Sequence, residues 1–443
     1  MASADFDLTD DFDQFDLDPI IARGVRAAGF REPRPIQAET IPAALDGRDV
    51  LGLAETGTGK TAAFALPLLD RFAHERRPGP RALILAPTRE LATQIDAEIR
   101  MLARFTRVQV VTVYGGVSVH GQTKALRRNP EIVVGCPGRV LDLIGQGVLR
   151  LRNVETLVLD EADHMFDMGF LPDLRRILAA LPQDRQNLLF SATMPAEVRG
   201  LADDLLHDPH VVELSHVGPP ETIDHMLVAV REDCKRDLLE HILAEDGCES
   251  AIVFTRTKHR ARRLAQQLER AGHSAVCLQG NMSQPARDRA MAGFRKRNFK
   301  LLVATDIAAR GIDVQGVSHV INFDVPNTPE AYTHRIGRTG RAELEGRALT
   351  FVTRDDASWL RATERMLGEP IPRISIDGIE ADPIDGVGRS KASRSSGRGS
   401  RGSQPKGRPS TRTGDPTRAR RGGRSRKQGG GSGASTRRRR RRD

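Results

Sequence analysis

The segment Ala54-Glu55-Thr56-Gly57-Thr58-Gly59-Lys60-Thr61 follows a short apolar run at residues 49–53 and precedes a helix-compatible one at residues 62–69. Glycines at 57 and 59 let consecutive backbone N–H groups turn inward around an anion, at a helix N-terminus whose dipole favours negative charge. In that setting Lys60 reaches the β- and γ-phosphates of a nucleotide, and the Thr61 hydroxyl ligates Mg2+. Ala54 stands where the strict phosphate-loop pattern has Gly. A second cluster, Asp160-Glu161-Ala162-Asp163, directly follows the apolar run at residues 154–159. Carboxylates at the carboxyl end of a buried parallel strand sit where α/β sheets place their ligands. Asp160 is the natural Mg2+ partner through water, and Glu161 is positioned to polarise an attacking water as general base.

Both clusters need strands to carry them. Short apolar runs rich in β-branched residues recur at residues 81–86, 108–113, 131–134, 156–159 and 187–190, with helical stretches between. That alternation predicts βαβ units and a parallel sheet buried on both faces. A second series, at residues 251–255, 275–278, 300–304, 319–323 and 348–352, predicts a second α/β lobe. Gly218-Pro219-Pro220 interrupts the periodicity between them and suits an interlobe linker.

Read in order with further motifs, these residues resemble the DEAD-box family of RNA helicases, over residues 12–351 or so. Gly29-Phe30-Arg31-Glu32-Pro33-Arg34-Pro35-Ile36-Gln37 resembles the family's adenine-reading Q motif, with Phe12 as its isolated upstream aromatic. The resemblance places Phe12, Arg34 and Gln37 in the nucleotide site with residues 54–61, and implies ATP over GTP because Gln37 reads the adenine edge. Pro87-Thr88-Arg89-Glu90-Leu91-Ala92, Gly115-Gly116 and Pro137-Gly138-Arg139 resemble RNA-contact motifs suited to a sugar–phosphate backbone. Cys136 departs from the family's usual Thr there, and a thiol is a weak donor. Ser191-Ala192-Thr193 resembles the coupling motif, whose hydroxyls link Asp163 and its loop to the other lobe. In the second lobe Arg287 and Thr305 match RNA-contact positions, and Asp313 matches a contact to the ATP ribose. His334-Arg335-Ile336-Gly337-Arg338-Thr339-Gly340-Arg341 supplies Arg338 and Arg341 as arginine fingers, with His334 bridging towards Asp163 and Ser191.

The resemblance implies two tandem RecA-like domains with parallel sheets, the P-loop NTPase fold. The expected division is an acidic N-terminus at residues 1–11, domain 1 at 12–213, a linker at 214–222, domain 2 at 223–381 and a tail at 382–443. The formal net charge of +10 is unevenly spread: residues 389–443 hold 20 Lys or Arg against Asp415 and Asp443, a net +18, leaving −8 for the rest. So basic a run, poor in apolar residues and rich in Gly, Ser and Arg, predicts a disordered arm that binds RNA phosphates non-specifically. The four cysteines show neither metal-ligand spacing nor a disulfide framework. No run approaches a membrane span and the N-terminus lacks a signal peptide's features, so a soluble cytoplasmic protein is expected. The implied activity is RNA-stimulated ATP hydrolysis with local unwinding of short RNA duplexes or remodelling of RNA–protein complexes. Two other readings stay open on sequence alone: a non-enzymatic RNA chaperone working through the tail, and a DNA-directed helicase of the same architecture.

Overall fold

The computed structural model describes residues 11–376 and 380, except positions 56, 75–76, 215–222, 246, 310–316 and 341–345 and the side chains of residues 307 and 309. Thr56, Asp313, Arg341, all but Leu214 of the expected linker, all but Asp11 of the acidic N-terminus, and the arginine-rich tail lie outside the described residues.

The first sheet comprises β1 (Val50–Leu53), β2 (Ala82–Leu85), β3 (Val110–Val113), β4 (Ile132–Gly135), β5 (Thr156–Leu159), β6 (Gln186–Ser191) and β7 (His210–Glu213). Its strands run parallel in the order β3-β4-β2-β5-β6-β1-β7. The second comprises β8 (Ile223–Ala229), β9 (Ala251–Phe254), β10 (Ala275–Leu278), β11 (Leu301–Ala304), β12 (His319–Asn322), β13 (Gly346–Val352) and β14 (Arg373–Ile374). These are also parallel, in the order β10-β11-β9-β12-β13-β8-β14. Two such sheets, each wrapped by helices, are tandem RecA-like domains.

Strand side chains alternate between the two faces. Ile84, Val134 and Val158 enter one core of the first lobe, while Leu83, Leu85, Val133, Leu157 and Leu159 enter the other. Ile252, Phe254 and Leu302 oppose Val253, Leu301 and Val303 in the same way in the second lobe. Each such side chain, fully buried, contributes roughly 1.5–3 kcal/mol. Double-sided burial explains why these strands are continuous apolar runs in the sequence. The strands expected from those runs all form. Strands β7, β8 and β14 were not anticipated, because β7 and β14 mix polar with apolar residues at the sheet edges and β8 begins beside the Gly-Pro-Pro interruption.

Strand β6 lies between β1 and β5, with Leu53 opposite Ser191 and Leu159 opposite Leu189. The carboxyl ends of three neighbouring strands therefore present the phosphate-loop segment, Ser191 and Asp160 side by side. Interstrand spacing of about 4.8 Å puts the first and last of these roughly 10 Å apart, the scale of a nucleotide's polyphosphate. The opposite end of the sheet is pinned by Arg81, 2 % exposed, which donates from Nε and Nη2 to the two carboxylate oxygens of Glu155 at 2.8 and 2.9 Å. Its guanidinium lies 4.1 Å from the centre of the Phe72 ring. Arg81→Ala removes both contacts and should destabilise the first lobe by about 3 kcal/mol in equilibrium urea unfolding.

Candidate active site

Gly57 and Gly59 adopt φ of 86° and 97°, values that side chains disfavour, and the helix Lys60–Phe72 begins immediately after them. Lys60 is buried and its ammonium donates to the carbonyls of Ala54 (2.7 Å) and Glu55 (3.2 Å), so it lies across the mouth of its own loop. Thr58 Oγ1 donates to the Glu55 carbonyl at 2.8 Å, tightening the turn. Gln37 is tied to this loop: its Nε2 donates to the Gly59 carbonyl (3.1 Å) and its Oε1 accepts from the Arg34 N–H (2.8 Å). One amide hydrogen and one lone pair remain for a further partner. Arg34 Nη1 donates to the Gly57 carbonyl at 2.5 Å. A Cβ on Gly59 would fall 2.5 Å from Gln37 Nε2, so the loop and the amide pack without spare room. Phe12 is buried edge-on against Phe15 and Phe30, both at 5.7 Å between centroids, and shapes the wall beneath this region.

Asp160, Glu161 and Asp163 are 2 %, 3 % and 4 % exposed. Glu161 has φ 55° and ψ 54°, a left-handed conformation unusual for a non-glycine residue. That conformation costs of order 1 kcal/mol or more and turns the carboxylate away from the path of β5. Burial pushes Asp160 up to about 7, against the pull of Lys60 and with Glu161 adding to the rise. Its Oδ1 has no hydrogen-bond partner among the described residues. A buried, unsatisfied carboxylate oxygen and the hydroxyl of the partly exposed Thr61 are hard-oxygen donors of the kind Mg2+ uses. Burial would also raise Glu161, yet His164, Lys60 and Arg338 hold it well below the usual carboxylate range.

Asp163 is fully committed. Its Oδ2 accepts from the Thr193 N–H (2.9 Å) and Oγ1 (2.8 Å), and its own N–H donates to Ser191 Oγ (3.2 Å). Ser191 passes the chain on, donating to the Thr193 carbonyl at 2.7 Å. From the second lobe, the helix Pro329–Ile336 brings His334 Nε2 to 4.0 Å from Asp163 Oδ2 and His334 Nδ1 to 3.1 Å from His164 Nε2. Arg338, just beyond that helix, is buried and close enough to Glu161 to lower its pKa. The loop carrying it is anchored by Thr339 Oγ1, which donates to the Val317 carbonyl at 2.5 Å. Gly346 lets this loop press on β13, since a Cβ there would sit 2.2 Å from the Gly340 nitrogen.

A cavity of about 470 Å³ lies between the lobes, lined by Pro87, Thr88, Arg89, Gly115, Gly138 and Arg139 from the first lobe and Arg287 from the second. Thr88 caps the helix Arg89–Leu102, accepting from the Leu91 N–H at 3.2 Å, which leaves its hydroxyl hydrogen for another acceptor. Arg89 Nη1 donates to Gln284 Oε1 (2.9 Å), and Arg287 pairs with Glu90 at 2.8 Å, so both contacts cross between lobes. Gly116 packs under the Arg89 guanidinium, where a Cβ would come within 2.4 Å. Thr305 is buried at the start of the short helix Asp306–Ala309 and does not line the cavity. Cys136 occupies the N-cap of the helix Pro137–Gly145 without making a cap hydrogen bond, and burial pushes its thiol up to about 12.

Three contributors were not singled out from the sequence. His164 donates to Glu161. Arg335 is buried and holds Asp306 through two bonds at 2.5 and 2.8 Å, supporting the helix end that bears Arg338. Glu98, pushed up by burial, faces Thr61 from the helix Arg89–Leu102. An acidic or basic residue on an otherwise apolar helix face is the only signal such residues leave.

Residues 34–201 match the family model described as DEAD/DEAH box helicase, and residues 234–343 match the helicase conserved C-terminal domain. The DEAD-box ATP-dependent RNA helicase CshA of Bacillus subtilis is 44% identical over 368 residues, spanning 83% of this chain and 74% of CshA. The chain belongs to the DEAD-box family of ATP-dependent RNA helicases. The ATP-dependent RNA helicase CshA of Listeria monocytogenes is 45% identical over 354 residues, 80% of this chain and 68% of that one. Among solved structures, S. cerevisiae Dbp5 bound to RNA and ADP BeF3 superposes with a TM-score of 0.75 at 33% identity, covering 83% of this chain and 96% of Dbp5. Mss116p bound to ssRNA and AMP-PNP gives a TM-score of 0.74 at 28% identity, with 83% and 78% covered. As a DEAD-box helicase the chain is an RNA-dependent ATPase. No helix among its described residues is long and apolar enough to cross a membrane.

The raised Asp160 has a consequence for the stability of this helicase. Between its ordinary 3.8 and about 7, the folded state keeps a proton that the unfolded state releases, so stability falls as pH rises through that window. Asp160→Asn removes this contribution. Calorimetric scans without nucleotide or divalent cation should show the variant's melting temperature gaining on the wild type between about pH 4 and about pH 7. A constant difference across that range would contradict the assignment.

Proposed function

We propose that the two lobes, divided at residues 12–213 and 223–381, each carry half of the ATPase site and half of the RNA track, so that ATP and RNA bind cooperatively by favouring closure. The observation that carries this reading is the approach of Arg338 and His334 to the Glu161–Asp163 loop, in the same arrangement that brings Arg287 to Glu90. Glu161 is the general base towards the attacking water, and Lys60 holds the β- and γ-phosphates. Arg338 and Arg341 are the arginine fingers that stabilise charge on the transferred phosphoryl group. Gln37, supported by Arg34 and Phe12, reads the adenine edge, and Asp313 contacts the ribose. Asp163, Ser191 and Thr193 transmit closure between the nucleotide and the RNA.

Asp160 and Thr61 are the residues to hold Mg2+. When bound it neutralises charge between the β- and γ-phosphates.

Pro87, Thr88, Arg89, Gly115, Gly116, Gly138, Arg139, Arg287 and Thr305 form the RNA track. Hydroxyls, backbone N–H groups and guanidinium donors suit phosphate and 2′-hydroxyl, so contact is largely independent of sequence. Bending one strand into the cleft expels its partner, which gives local unwinding of short duplexes. The segment at residues 389–443, with its net +18, adds non-specific RNA affinity and keeps the substrate at high effective concentration. The cytoplasm is the compartment that fits these properties.

Glu161→Gln should lower RNA-stimulated ATP turnover by roughly 10²–10⁴-fold while leaving RNA affinity near wild type. Hydrolysis that is stimulated equally by single-stranded DNA would instead favour the DNA-directed reading. Removal of residues 389–443 should weaken RNA binding and flatten its dependence on log salt concentration, with each lost phosphate contact lowering the slope by about 0.7. An unchanged slope would remove the tail from the binding mechanism.

A further inference from the structure

The residue that directly follows Asp-Glu-Ala-Asp is His164, in the first turn of the short helix Ala162–Asp167. It is 2 % exposed, and both ring nitrogens have partners. Nδ1 lies 2.9 Å from Glu161 Oε2, and Nε2 lies 3.1 Å from Nδ1 of His334 in the second lobe. The two rings meet edge to face at 87°, with centroids 4.8 Å apart. At the far end, His334 Nε2 points towards Asp163 Oδ2 at 4.0 Å and has no hydrogen-bond partner among the described residues. The His164 backbone N–H closes the figure, donating to Asp163 Oδ1 at 2.9 Å.

Proton bookkeeping fixes the donors. A carboxylate only accepts, so His164 Nδ1, 2.9 Å from Glu161 Oε2, carries a hydrogen and donates it. The bond between the two rings holds a second hydrogen. His334 holds the far side of the same ring, through Nε2 and the edge-to-face contact, in the orientation that aims Nδ1–H at Glu161.

We propose that His164 is a positioning residue for Glu161, set by His334, so that arrival of the second lobe orients the general base as well as delivering the arginine finger. This rests on the reading of Glu161 as general base and of closure as the competent arrangement. It adds a second route by which closure reaches the reacting centre, one that runs through Oε2 of Glu161.

The test is steady-state ATP hydrolysis by the full chain with saturating single-stranded RNA, comparing His164→Ala, His164→Asn and His164→Gln with Glu161→Gln. The Asn carboxamide offers a donor near the place of Nδ1, whereas Gln offers one near the place of Nε2. His164→Ala is expected to lower kcat roughly 10–100-fold, the range for groups that orient a catalytic one. Its KM for ATP and its RNA affinity should stay within about twofold of wild type, since His164 belongs to neither binding surface. His164→Asn is expected to recover kcat to within about fivefold, and His164→Gln is not. In ¹⁵N-histidine spectra of the complex with RNA and a non-hydrolysable ATP analogue, Nδ1 of His164 should be protonated, and His334→Ala should shift the resonances of both its ring nitrogens as the hold on Glu161 loosens; resonances unmoved by His334→Ala would overturn the role of His334.

Wild-type kcat in His164→Ala with an inactive Glu161→Gln would overturn the inference and leave the general base standing. RNA-stimulated turnover surviving in Glu161→Gln would remove the reading beneath it. Rescue by Gln and not by Asn would show that contact with His334, and no hold on Glu161, is what His164 provides. Should His164→Ala fail to fold, the Asn and Gln pair and the spectra decide alone.

Discussion

Three carboxylates within four residues, all out of water, are the constraint around which this helicase is arranged. Removing a single unpaired carboxylate from water costs several kcal/mol, and three adjacent ones repel each other besides. Each is compensated differently. Asp163 is satisfied inside its own lobe by Thr193 and Ser191. Glu161 draws on Lys60 from its own lobe and on Arg338 from the other. Asp160 keeps an oxygen without a hydrogen-bond partner among the described residues. The first lobe is therefore short of positive charge at the end of its sheet, and Arg338 of the second lobe supplies part of it. On the proposed reading closure is charge compensation, which joins binding, catalysis and domain movement.

The cavity proposed as the RNA track is balanced in the opposite sense. Arg287 is held by Glu90 and Arg89 by Gln284. A guanidinium has five donors in a fixed fork, so a phosphate can share it without displacing the carboxylate. These pairs join the lobes along the cavity. RNA bound there as proposed would reinforce contacts that already cross between the lobes.

How much of this was readable beforehand depended on whether a feature is local. The phosphate loop, the Asp-Glu-Ala-Asp segment and the inner strands were legible, because glycine placement, a carboxylate after an apolar run and double-sided burial all leave marks within a few residues. Edge strands such as β7 and β14 escaped because their burial is one-sided and their residues are mixed. Gln37 was expected to meet adenine, but its bond to the Gly59 carbonyl depends on a packing between residues 22 positions apart. His164 was invisible for a similar reason: its partner His334 is 170 positions away, and a histidine after an acidic tetrapeptide carries no pattern of its own.

Gly346 gives the second lobe a mechanical property. With no side chain there, the segment Thr339-Gly340 lies directly on the start of β13, and Thr339 is fastened to the carbonyl of Val317. Arg338 is thus mounted on the sheet itself and has little independent travel. On the proposed reading, its arrival at the phosphates is a movement of the whole lobe as one piece, so the clock for hydrolysis is the swing of a domain and not the search of a side chain. A larger residue at 346 would lift the mount and detune that clock while leaving the proposed ATP contacts in place.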